Sequence, residues 1–169
     1  YETNWNLTGS LFEPNTRLLD MFHNLGSVTQ LVARHPIETV SLDDIPDLAD
    51  IDFIKIDIQG GELAVFQNAL RVLSGVVAIQ TEVEFIELYK RQPMFADVDI
   101  FLRGHGFQFH TFTGFGTRPF KPMVVGGDPN RGLRQYIWSD AIYVRDWLRL
   151  EHLAEAKLKK LAVIAHDIL

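Results

Sequence analysis

The sequence predicts an α/β fold whose parallel strands lead into an antiparallel hairpin and then a C-terminal helix. Residues 51–58 form a β-branched apolar run that stops at Gly60-Gly61 and is followed by Leu63, Phe66, Leu70 and Leu73 at helical spacing. Residues 76–85 form another apolar run, and strand, helix, strand with short connections is a right-handed unit with parallel strands. Residues 107–115 and 135–144 then read as strands with no helical segment between them, as in a long hairpin.

In chain order, residues 1–15 are a polar loop with an apolar patch around Leu11-Phe12. Leu18, Leu19 and Phe22 predict a short helix over 16–24, with Gly26 as its stop. Strands are predicted at 28–34 and 37–42, split by His35-Pro36, with a turn at Asp43-Asp44 and Pro46-Asp47. A helix is predicted from about Gly61 to Leu73, stopped by Ser74-Gly75, and another from Phe95 to Arg103. The glycine- and proline-rich stretch 116–132 reads as a flap. The last strand is predicted to be interrupted at Trp138-Ser139-Asp140. Residues 147–169 carry a stripe of Leu150, Ala154, Leu158, Leu161, Ala165 and Ile168, expected to pack on the sheet or form a dimer contact.

Bulk properties narrow the function. The 169 residues suit one domain, and 47% hydrophobic with 22% charged residues is an ordinary globular composition. A net charge of −6 argues against a nucleic-acid partner, which needs a basic face. The absence of cysteine excludes disulfides and a thiol nucleophile and fits a reducing, cytoplasmic setting. No apolar run reaches the roughly 18 residues of a membrane span.

Charge inside the two central strands carries the chemistry. Lys55 and Asp57 share one face of the first, and Gln80, Glu82 and Glu84 share one face of the second. If the strands are neighbours, Asp57, Glu82 and Glu84 meet at their carboxyl ends, where open α/β sheets place ligands. Glu62 faces them from the helix start. Asp57 and Glu82 are candidates for accepting a proton or binding a substrate hydroxyl, and Glu84 and Glu62 for binding substrate. Lys55 is a catalytic candidate or a structural partner of Asp57. Arg118, in the flap, is a candidate contact for an anionic acceptor. The same carboxylates could pair structurally, cap the helix or hold Mg²⁺ or Ca²⁺, though their spacing is not diagnostic of a metal site. His105 and His110 flank a strand start and read as surface or packing residues.

Phe53 to Glu62 resembles the Lys-x-Asp-x-(Gln/Glu)-Gly-(Ala/Gly)-Glu signature of the FkbM family of methyltransferases. Gln80 to Tyr89 with Gln92-Pro93-Met94-Phe95, the segment Ser10 to Asn15, and Trp138 to Val144 resemble other segments of that family in the same order. The resemblance spans roughly residues 8–145. It implies a Rossmann-like fold with S-adenosylmethionine (SAM) as methyl donor and a hydroxyl of a sugar or other small molecule as acceptor. The chain departs from the family in lacking a Gly-x-Gly-x-x-Gly loop after a strand. Residues 1–146 therefore read as the C-terminal, acceptor-side part of such a domain, with a partial Rossmann-like sheet, and 147–169 as an added amphipathic helix. The alternative is a non-catalytic binding or assembly module, and an open sheet edge makes a homodimer one expected outcome.

Overall fold

The computed structural model describes residues 1–167. Its strands are β1 (Glu2–Thr3), β2 (Leu31–Ala33), β3 (Phe53–Ile56), β4 (Ala78–Glu84), β5 (Phe107–Thr117) and β6 (Tyr136–Arg145). β1 and β2 form a small antiparallel pair, and the other four form a mixed sheet in the order β3-β4-β6-β5. β3 and β4 are parallel, in register from Phe53 opposite Ala78 to Ile56 opposite Thr81. β5 and β6 form the antiparallel hairpin, and β6 lies between β5 and β4. The parallel unit, the hairpin and the C-terminal helix are all present, and the fold is mixed α/β.

The helices are α1 (Thr16–Leu19), α2 (Leu25–Val28), α3 (Glu62–Gln67), α4 (Leu70–Gly75), α5 (Phe95–Gly104) and α6 (Glu155–Asp167). One sheet face, with Ile54, Ile79, Val83, Ala141 and Tyr143, is sealed by Phe66, Val72 and Leu73 from α3 and α4 and by Val98 and Leu102 from α5. The other face carries Lys55, Gln80, Glu82 and Asp140, as the strand period requires of alternate residues. The outer edge of β3 has no strand partner among the described residues.

Several local expectations are corrected. The single helix predicted over 61–73 is two, because Asn68 and Ala69 leave helical geometry (ψ 26° and 29°). Asp43 enforces the break: its carboxylate accepts from the backbone N–H of Arg71 and of Val72, each at 2.9 Å, and so caps a new helix start. The helix predicted over 16–24 ends at Leu19, and Gly26 lies inside α2 rather than stopping α1. Of the strands predicted at 28–34 and 37–42, only Leu31–Ala33 forms; residues 37–42 find no ladder partner and lead into a 3₁₀ turn at Leu42–Asp44. β6 runs through Trp138, Ser139 and Asp140 without interruption, each paired with β4.

The C-terminal segment is also divided, into a 3₁₀ stretch at Trp147–His152 and α6. No described residue of α6 is buried, and Ile168 lies outside the described residues. Ion pairs hold α6 near the start of β3: Lys157 Nζ lies 2.7 Å from Asp52 and 2.9 Å from Asp50, and Lys160 Nζ lies 2.7 Å from Asp52. No described helix is long and apolar enough to cross a membrane.

Candidate active site

The site is built on the turn between β3 and α3. Gln59 and Gly60 both take positive φ, 59° and 93°. A Cβ on Gly60 would also stand 3.2 Å from Cβ of Gln92, so glycine answers both the dihedral and the close approach. This turn places Gln59 at the centre of a hydrogen-bond hub. Its Nε2 donates to Asp57 Oδ1 at 2.8 Å and to Glu82 Oε2 at 2.9 Å. Its Oε1 accepts from the Tyr89 hydroxyl at 3.1 Å, and its carbonyl accepts from Ser10 Oγ at 2.6 Å.

Glu62 is buried, and its Oε1 accepts from the Ile58 backbone N–H at 2.7 Å, bracing the turn from the first turn of α3. One carboxylate oxygen from each of Asp57, Glu62 and Glu82 lies within 4.8 Å of the others. Such a group relieves its repulsion by holding a proton or by taking a divalent cation. Burial, reinforced by the charges of Asp57 and Glu84, pushes the Glu82 carboxyl up to about 9. Burial and the charges of Glu62 and Asp57 push Glu84 up to about 8. Burial raises Glu62 as well, opposed by its hydrogen bond from Ile58. The cluster therefore stores protons at neutral pH.

A cavity of about 1230 Å³ opens on this cluster. Asp57, Gln59, Glu82, Tyr89, Arg118 and Trp138 are among the residues that line it. Asp57, Glu82 and Arg118 are thus brought to one cavity. Glu84 is 2% exposed, is not part of the wall, and leaves Oε1 without a hydrogen-bond partner among the described residues. Glu62 serves the turn and likewise stays out of the wall. Lys55 does not pair with Asp57: its Nζ lies 3.7 Å from Asp140 Oδ2, which also accepts from Gln80 Nε2 at 2.6 Å. His105 is tied to the Phe101 carbonyl at the end of α5, 2.7 Å away.

Gln59 and Tyr89 were not singled out as site residues from the sequence. Gln59 stands inside the central signature, and Tyr89 ends the next resembling segment. Their contact is made across 30 residues of chain, which no local pattern signals. A family model described as the methyltransferase FkbM domain matches residues 3–109. No curated protein and no solved structure matches the chain. The matched region holds Ser10, Asp57, Gln59, Glu82 and Tyr89, whereas Arg118 and Trp138 lie beyond it.

Proposed function

The chain belongs to the FkbM methyltransferase family, and on that premise we propose that it is a SAM-dependent O-methyltransferase acting on a hydroxyl of a sugar or other small molecule. The observation that carries the reading is the amide of Gln59 clamping Asp57 and Glu82 at adjacent strand ends on a cavity wall. When bound, SAM supplies an electrophilic methyl group on a sulfonium. In the transfer an O–C bond forms, the S–C bond breaks and the hydroxyl proton leaves.

This chain's residues support that step in two ways. The carboxylate of Asp57 accepts a hydrogen bond from the acceptor hydroxyl and takes its proton, with Gln59 fixing the carboxylate's orientation. The protonated Glu82 beside it limits the negative charge around Asp57. Orientation of the hydroxyl is the main demand of an in-line displacement, and a fixed hydrogen-bonding pair meets it. The chain has no glycine-rich loop for the methionine end of SAM. Tyr1 and Trp5 line the same cavity and would be aromatic side chains available to hold the donor's base.

Calorimetric titration with SAM tests the reading. Saturable binding to the wild-type chain is expected, together with labelled methyl transfer to a member of a carbohydrate panel that Asp57→Asn reduces at least tenfold. No binding and no transfer to any member overturns it. The outer edge of β3, without a strand partner among the described residues, favours a second reading, an assembly module that pairs this edge with another strand. Sedimentation separates the two: a monomer that binds SAM excludes the module reading.

A further inference from the structure

We propose that Arg118 adapts the cavity to an acceptor bearing an anionic group, a carbohydrate carrying a carboxylate or a phosphate. The inference rests on the acceptor reading of the cavity and adds the chemical class of the acceptor. Arg118 follows β5, and its guanidinium carbon stands 5.4 Å from the centre of the Trp138 ring. Its Nη1 donates to the carbonyl of the adjacent Thr117 at 2.7 Å. Its Nε is buried and has no hydrogen-bond partner among the described residues. A buried donor on a permanent charge is costly when left unpaired. Arg118 lines the cavity, and a ligand anion drawn to its guanidinium offsets that cost.

The guanidinium is also preorganised. The Trp138 ring and the bond to the Thr117 carbonyl hold it, and a held fork presents N–H groups to the paired oxygens of a carboxylate or phosphate. Arg34 lines the same cavity but is already engaged by Glu13 at 3.2 Å. Of the two acids central to the site, the carboxylate of Asp57 repels an anion, and Asp57 and Glu82 both suit hydroxyls.

The topology separates these two preferences. Asp57 follows β3, at one edge of the sheet, and Arg118 follows β5, at the other. A ligand that satisfies both presents a hydroxyl to the acids and an anion to the arginine.

The experiment is calorimetric titration of the whole chain with glucuronate, glucose 6-phosphate and glucose, for the wild type, Arg118→Gln and Arg118→Lys. The expected result is a preference of about tenfold or more for an anionic sugar over glucose. Arg118→Gln abolishes it and Arg118→Lys, which keeps the charge but not the fork, retains part of it. Which anion is preferred assigns the group as carboxylate or phosphate. Equal binding of glucose, or a preference that survives Arg118→Gln, overturns the inference and leaves the methyltransferase reading standing. Loss of SAM binding in Arg118→Gln with the sugar preference intact reassigns the arginine to the donor and also overturns it. Failure of all three sugars to bind removes the acceptor reading and this inference together.

Discussion

The hydroxyl of Tyr89 donates to Gln59 Oε1 at 3.1 Å. The same hydroxyl lies 3.0 Å from the carbonyl of Thr8, so its one hydrogen serves both acceptors. This contact decides which way the Gln59 amide faces. With Oε1 turned to Tyr89, Nε2 is left to donate to Asp57 and Glu82. Tyr89 therefore positions the site from a distance without touching either carboxylate.

Gln59→Leu removes the amide that bridges Asp57 and Glu82 and fixes their orientation. Methyl transfer is expected to fall by more than tenfold. Tyr89→Phe keeps the amide but loses its anchor, so a smaller loss is expected, falling mainly on kcat rather than KM. Steady-state kinetics of the two variants checks the order.

The raised carboxyls make stability depend on pH with a definite sign. Glu82 moves from an ordinary 4.5 to about 9, and Glu84 from 4.5 to about 8. Between those limits the unfolded chain has released protons that the folded chain still holds, so stability falls as pH rises. The loss begins above about pH 5 and levels off near pH 9, at no more than roughly 1.4 kcal/mol per pH unit for each group. Urea denaturation at pH 6 and pH 9 should give the higher midpoint at pH 6. Glu82→Gln should flatten the dependence; an unchanged slope in that variant would contradict the assignment.

Gly60→Ala places a Cβ on a backbone at φ 93° and within 3.2 Å of Gln92. Strain of this kind costs about 1–3 kcal/mol. A matching drop in thermal midpoint is expected, with loss of SAM or acceptor binding because the turn that aims Gln59 shifts. Calorimetric melting with a binding titration reads both.

Asp43→Ala deletes the carboxylate that caps Arg71 and Val72. A thermal midpoint lower by a few degrees is expected, with methyl transfer little changed, since α4 lies on the core side of the sheet. Faster amide exchange confined to the start of α4 would locate the effect.

Local sequence alone determined a good part of this protein. The apolar runs at β3 and β4, the glycine turn between β3 and α3, and the absence of a helix between β5 and β6 depend on neighbouring residues, so periodicity revealed them. The signature around Lys55, Asp57 and Glu62 likewise pointed to the family, and the polar ends of the two strands brought Asp57, Glu82 and Glu84 forward together. Tertiary structure decided what depends on residues distant in the chain. Asp43 divides α3 from α4, and Asp140, not Asp57, takes Lys55. Tyr89 orients Gln59, and Trp138 lies under Arg118. The carboxyls of Glu82 and Glu84 hold their protons because folding removes them from water and crowds them with like charge, and neither effect exists until the strands have paired.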